Sequence, residues 1–174
     1  MTKASLRPLR STDLPELRRW RNHPDSRRWF FSQEEITEQQ QERWFEEMSG
    51  RDNERFFVIE DEEGVSVGTV SLYNIDPAKG RAEYGRMLID PDHRGKGLAL
   101  EATLAILHYA FSKLSLETVY LEVMTDNVPA VKLYENIGFK TVRRYTKDAA
   151  GSEYEVAVME ISEPELLKTE RSGT

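Results

Sequence analysis

The sequence predicts a single α/β (α+β) domain: a mixed, mostly antiparallel sheet of six to seven strands flanked by about four helices. Three observations predict it. Short apolar, strand-forming runs separated by turn residues recur from Arg55 to Ile89 and again from Phe139 to Ile161, as successive antiparallel strands do. Two helical stretches, Leu98–Lys113 and Val128–Ile137, alternate with strand-like runs, which places helices on the faces of the sheet. The chain has 174 residues, 39% hydrophobic and 10% aromatic, enough for one core and too apolar for a disordered polymer.

Taken in order, Ser5–Arg10 reads as a short edge strand. Ser11 or Thr12 is placed to cap a helix with Asp13 in its first turn and Pro15 early. Leu14, Leu17 and Trp20 hold helical spacing, and Asn22-His23-Pro24 ends that helix. Asp25–Gln33 is an aromatic loop, and Ile36–Met48 is a second helix with Gly50 beyond its end. Strands follow at Arg55–Glu60, Val65–Tyr73 and Arg81–Ile89, joined by turns at Asp61–Gly64 and Asn74–Gly80. The Leu98–Lys113 helix is apolar around most of its circumference, so it is deeply buried or shared with a second subunit, and a homodimer is expected. Thr118–Val123 is a strand, and Val128–Ile137 is a helix stopped by Gly138. Phe139–Tyr145 and Glu153–Ile161 bracket the Asp148–Ser152 turn as a final hairpin. The domain therefore spans residues 1–162, and residues 163–174 form a loose polar tail.

Composition excludes several classes of function. No apolar run approaches the length that crosses a bilayer, and Met1–Arg10 holds no signal-peptide core. Cysteine is absent, which removes disulfides, thiolate nucleophiles and cysteine-bound zinc and fits a cytoplasmic location. A formal net charge of −7 argues against a nucleic-acid partner and suits either a cationic partner or plain solubility. His23, His93 and His108 have no metal-ligand spacing, so no metal is expected.

Chemistry concentrates in Asp90–Ala102, DPDHRGKGLALEA. Arg94-Gly95-Lys96-Gly97 lies where a strand ends and a helix begins. A helix N-terminus offers unpaired N–H groups and the positive end of the dipole, and two cations add charge, so the turn suits a phosphate or pyrophosphate. The dinucleotide fingerprint needs a small residue where Leu100 stands, and the nucleotide-hydrolase loop needs Ser or Thr after Gly-Lys, where Gly97 follows Lys96 and Leu98 comes next. Neither fits, and an ordinary surface turn stays open on this stretch alone. A second stretch, Thr125–Lys140, reads TDNVPAVKLYENIGFK. There Asn127 is placed to cap a helix, Ala130 and Tyr134 share one face of it, and Gly138-Phe139 returns the chain to a strand.

Together these stretches resemble the GNAT N-acetyltransferase superfamily. Arg94–Ala99 matches its Arg/Gln-x-x-Gly-x-Gly/Ala motif. Asn127, Ala130, Tyr134, Gly138 and Phe139 match its Asn-x-x-Ala-x-x-x-Tyr-x-x-x-Gly-Phe segment. The resemblance covers Ser5 to about Ile161 and is most specific from Arg81 to Lys140. It implies a sheet splayed between the fourth and fifth strands and acetyl-CoA as co-substrate. The pyrophosphate would lie on Arg94, Gly95, Lys96, Gly97, Leu98 and Ala99. The pantetheine arm would run beside Met87, Leu88 and Ile89 as an added strand, with Asn127 and Ala130 at the thioester pocket and Lys132 reaching the nucleotide end.

The resemblance also implies direct attack by a neutral amine. A backbone N–H near Leu88 would stabilise the oxyanion. Tyr134 would protonate the departing thiolate, and Glu83, at the place of a general base in several members, would take the amine proton directly or through water. Trp29, Phe30, Phe31, Glu83 and Tyr84 would border the acceptor. The region from Trp20 to Met48 is similar to branches that acetylate amino-sugar nucleotides, polyamines or the N-termini of ribosomal proteins, though Gln41 stands where the first often has His. A small-molecule amine is the expected acceptor. A protein N-terminus, or a silent CoA-binding regulatory domain, is the alternative.

Overall fold

The computed structural model describes residues 3–173. Seven strands form one sheet in the order β1-β2-β3-β4-β5-β7-β6. They are β1 Ser5–Pro8, β2 Arg55–Glu60, β3 Ser66–Asp76, β4 Arg81–Ile89, β5 Thr118–Met124, β6 Lys140–Ala149 and β7 Ser152–Ser162. All neighbours are antiparallel except β4 and β5, whose connection carries the crossover helix that parallel pairing demands. The helices are α1 Leu14–Asn22, α2 Pro24–Arg27, α3 Glu38–Ser49, α4 Leu98–Ser112, α5 Val128–Ile137 and α6 Glu163–Ser172. Among the described residues no helix is long and apolar enough to cross a membrane.

β4 and β5 pair only through Arg81↔Thr118, Ala82↔Val119 and Glu83↔Tyr120 and then separate. The cause lies on β4. Thr69 faces Leu88 but Ser71 faces Gly85, so Arg86 and Met87 together oppose Val70. This is a β-bulge, and Arg86 takes a left-handed φ of 51°. A bulge bends its strand and sharpens the local twist, which swings the C-terminal half of β4 away from β5. The expected splay is present.

Several expectations are corrected. Among the described residues the helices number six rather than about four, because the aromatic loop opens with the one-turn α2 and because residues 163–172 are helical. The tail expected to be loose is α6, with Leu166 1% exposed in the core. Ser162 and Glu165 form its capping box, Glu165 Oε2 accepting from Ser162 N at 2.9 Å. Ser11 and Thr12 do not cap α1. They sit in a 3-10 turn closed by Asp13, whose Oδ2 accepts from Arg10 N at 2.8 Å. The hairpin is longer than expected, since β6 runs to Ala149. Finally, α4 needs no second subunit to cover it. Leu98, Ala102, Ile106, Leu107, Ala110 and Phe111 are buried by the same chain, and Tyr109 packs edge-on to Phe57 of β2 at 5.2 Å.

Candidate active site

The splay opens a cleft of about 580 Å3 between β4 and β5. Met87, Leu88 and Ile89 line one wall, and Leu121 to Met124 line the other. Beyond Glu83 neither strand bonds to the other, so the facing peptide groups are placed to accept an extended guest as an added strand. Arg94 and Ala99 stand at one end, and Asn127, Ala130 and Tyr134 of the α5 region close the side.

The glycine turn meets the requirements of an anion cradle. Gly95 and Gly97 have φ of 77° and 80°, left-handed values that L side chains rarely adopt. Gly97 is the N-cap of α4, and no side chain caps that helix. A diphosphate-bearing ligand thus fits residues 94–99: backbone N–H groups at a helix N-terminus with Arg94 and Lys96 beside them. Leu98 belongs to this turn through its backbone. It is 2% exposed and packs in the core, so only its backbone is available. Lys132 is exposed and does not line the cleft. Asn127 caps α5, its Oδ1 accepting from Ala130 N at 3.4 Å.

Tyr134 is 7% exposed and lines the cleft. Its ring stands edge-on to Tyr84 at 5.6 Å and to Phe139 at 5.7 Å. Burial pushes its phenol up to about 12, so the hydroxyl keeps its proton at neutral pH and is a donor. Tyr84, expected beside the acceptor, lines the cleft and also backs Tyr134. It is buried, and its hydroxyl lies 2.9 Å from Thr103 Oγ1. Thr103 donates in turn to Ala99 O at 2.6 Å, which leaves Tyr84 as the donor of the pair.

Trp29, Phe30 and Phe31 line the cleft from the segment after α2. Each carries a cation on its face: Arg28 over Trp29 at 4.9 Å, Arg21 over Phe30 at 4.0 Å, and Lys147 of β6 over Phe31 at 3.8 Å. Gln33 Nε2 also donates to Tyr154 Oη of β7 at 3.2 Å. The segment is thereby strapped to the β6–β7 hairpin. Arg94 Nη2 donates to Ser26 Oγ at 2.8 Å and ties the glycine turn to α2.

A second chamber of about 420 Å3 lies between α1, α3 and the sheet. Leu17, Ile36, Trp44 and Phe56 give it an apolar floor, and Glu34, Glu35, Gln40 and Gln41 add polar walls. Gln41 Oε1 accepts from Arg18 Nη1 at 3.0 Å. Phe30, Arg86 and Leu88 line both the chamber and the cleft, which marks where the two meet. Arg86 is paired there with Glu54, a carboxylate 6% exposed that Arg51 Nη1 also holds at 3.2 Å.

Glu83 does not line the cleft. Its carboxylate accepts from Tyr73 Oη at 3.0 Å and from Asn74 Nδ2 at 2.9 Å, and Tyr73 is the one of these that lines the cleft wall. No sequence signal marks Tyr73, Arg86 or Glu54. Their roles come from cross-strand pairing and a bulge, which leave no local pattern. Among the described residues no cluster of three or more His, Cys, Asp or Glu is placed to hold a metal ion.

The comparisons with known proteins converge. A family model described as an acetyltransferase (GNAT) domain matches residues 4–140. The spermidine N(1)-acetyltransferase of Vibrio cholerae is 31% identical over 138 residues, covering 79% of this chain and 79% of the relative. That of Escherichia coli (strain K12) is 31% identical over 134 residues, covering 77% and 71%. A crystal structure of the Vibrio cholerae spermidine N-acetyltransferase in complex with CoA and spermine matches with a TM-score of 0.88 at 29% identity, over 95% of this chain and 98% of that one.

Proposed function

Because the chain belongs to the GNAT acetyltransferase family, we propose that it moves the acetyl group of acetyl-CoA to a primary amine of a polyamine such as spermidine. It is an acetyl-CoA-dependent N-acetyltransferase. The observation that carries the reading is the cleft between β4 and β5, which opens after three register pairs and runs from the glycine turn past Tyr134. Acetyl-CoA supplies an activated thioester. The turn at 94–99 holds its diphosphate, and β4 from Met87 to Ile89 orients its arm. Tyr134 holds a proton for the leaving sulfur. Glu83 takes the proton of the acceptor.

Three features support a polyamine. The matched relatives act on spermidine by name. The chamber beside the cleft is apolar along its floor and has Glu34 on its wall, with Glu35 there paired to Arg27 at 3.0 Å and Arg21 held over the Phe30 ring; the floor and the Glu34 carboxylate suit a methylene chain that carries an ammonium group. The chain's net charge of −7 draws a polycation towards it. Arg86 in that chamber is neutralised by Glu54. We place the enzyme in the cytoplasm, a location supported by the absence of cysteine. A homodimer is supported by the open sheet edge at β6, where Val142 is exposed.

Release of free CoA thiol with a panel of acceptors tests the reading. Spermidine and spermine are expected to turn over, with amino-sugar nucleotides and peptides bearing a free N-terminus far behind. Faster turnover of a peptide overturns the acceptor. Tight CoA binding with no turnover of any amine identifies a silent binding domain.

A further inference from the structure

We propose that Tyr73 is a catalytic residue, a hydroxyl relay that carries the acceptor's proton from the cleft to Glu83; this rests on the acetyl-transfer reading above. Tyr73 on β3 sits directly across from Glu83 on β4, so the two side chains share one face of the sheet. Gly85, two residues further along β4, lies on the same face and has no side chain. The Tyr73 ring leans into that space. A Cβ on residue 85 would stand 2.6 Å from Tyr73 Oη. The glycine thus lets the phenol reach the wall of the cleft, which Tyr73 lines and Glu83 does not. Its hydroxyl donates to Glu83 Oε1 at 3.0 Å, and Asn74 Nδ2 holds the other carboxylate oxygen at 2.9 Å. The carboxylate is held in one orientation, with a single donor between it and the cleft.

Tyr84 on the same strand points the other way, to Thr103 of α4. Tyr134 of α5 packs on Tyr84. The proton acceptor and the proton donor of the reaction are therefore on opposite faces of the sheet, with the gap between β4 and β5 running between them.

The step balances without any further reactant. The ammonium N–H of the acceptor passes its proton to the Tyr73 oxygen as the Tyr73 O–H proton moves to Glu83. The products are a neutral amine, an unchanged tyrosine and a protonated Glu83. The amine nitrogen then bonds to the thioester carbon and the C–S bond breaks. The sulfur takes a proton from Tyr134, which the second proton shed by nitrogen restores through solvent. Glu83 returns its own proton to water, so one proton is released per turnover.

The groups facing Tyr73 are Glu83 and Arg86 of β4, Glu122 of β5, and Arg51 and Glu54 ahead of β2. Burial first, and then the Glu83 carboxylate, hold its phenol well above the ordinary range. The relay hydroxyl accordingly stays protonated over the range in which the amine titrates.

Tyr73→Phe, Glu83→Gln and the double variant, assayed with acetyl-CoA and spermidine from pH 7 to pH 10, test the relay. At pH 7 each single variant is expected to lose about 10²–10³ in kcat/KM. The double variant should be no worse than the lower of the two, because both cut one path. The defect should shrink as the pH nears about 10, where the amine is already neutral. Near-normal activity of Tyr73→Phe beside a crippled Glu83→Gln overturns the relay and leaves the acetyltransferase intact. A Tyr73→Phe loss that is constant with pH, or losses that multiply in the double variant, also overturn it by making Tyr73 structural. Wild-type protein that acetylates no amine overturns the acetyl-transfer reading and the relay with it.

Discussion

Tyr134 and Asp13 show how one side chain's surroundings set what it does. Tyr134 is legible in the sequence as part of the Asn127-to-Phe139 pattern, and its burial between Tyr84 and Phe139 gives that pattern chemical content. A phenol pushed up to about 12 remains a proton donor through the whole working range. Tyr134→Phe keeps the ring and removes the donor. Turnover should fall by about 10²–10⁴ while acetyl-CoA affinity changes by about 1 kcal/mol or less. Single-turnover measurements exclude masking by product release, and a normal rate there would return Tyr134 to a packing role. Asp13 carries stability rather than chemistry. Its carboxylate takes both Arg7 Nη groups at 2.8 Å, and Arg7 holds its pKa below the usual range. A depressed folded pKa contributes stability above the unfolded value of about 3.9 and loses it as the pH falls through the folded one. Asp13→Asn should therefore destabilise the fold at pH 7 by about 1–2 kcal/mol for a part-buried pair, read from the urea midpoint. The gap from wild type should close as the pH falls through the depressed folded pKa. A gap that persists in acid would place the effect elsewhere. Neither Tyr73 nor Arg86 could be read in the same way, since their neighbours lie across the sheet.

Elements were legible where turn chemistry and periodicity agreed. β4 at Arg81–Ile89 and α5 at Val128–Ile137 lie where the sequence places them, because Asn127 and Gly138 mark both ends of α5. The misplacement of residues 163–172 has a physical reason. The helix is polar over most of its surface and buries chiefly one residue, Leu166, so periodicity alone carries little signal. Its start is nonetheless written in Ser162-Glu163-Pro164-Glu165, a capping box with proline in the first turn. Leu166→Ala should cost about 2–5 kcal/mol if α6 is part of the core, read from the urea midpoint. A cost below about 0.5 kcal/mol, the level of a surface change, would make the segment dispensable. Gly97 tests the other end of the architecture. No atom lies within 4 Å of a Cβ built there, and the constraint is its φ of 80°. Gly97→Val should destabilise the fold by only about 1–2 kcal/mol. It should weaken acetyl-CoA by well over tenfold, because the first N–H groups of α4 lose their alignment on the diphosphate, at about 1.5–3 kcal/mol per charged contact. Unchanged calorimetric affinity with the fold intact would remove the glycine turn from the donor site.

At the scale of the whole molecule the sheet is two unequal parts joined by a short seam. Strands β1 to β4 form one, β5, β7 and β6 the other, and among the described residues the two parts pair as strands only where Arg81 to Glu83 meet Thr118 to Tyr120. The splay was expected from a motif resemblance, but its cause, the bulge opposite Val70, has no mark in the sequence because any residue can sit in a bulge. An extended ligand in the gap would bond to peptide groups of β4 and contact the wall of β5, and would so complete the sheet where the protein leaves it open. Two consequences follow for the whole chain. Acetyl-CoA at about 100 times its dissociation constant should stabilise the protein by about 2.7 kcal/mol, and for a domain of this size the unfolding midpoint should rise by roughly 5–10 °C. Hydrogen exchange should slow at the amides of Met87 to Ile89 and of Leu98 to Leu100, the groups the ligand is expected to bond. It should change little along β1, β2 and the outer edge of β6. The chain's net charge of −7 opposes an anionic donor at long range, so the binding that produces this pattern has to come from the local turn. Added salt should then weaken the donor through the few contacts at Arg94 and Lys96 only. Protection spread evenly over the sheet, or confined to the chamber beside α3, would place the donor elsewhere. A midpoint that rises equally with acetate or free phosphate would show that the ligand is felt as a generic anion and that the gap between β4 and β5 stays empty.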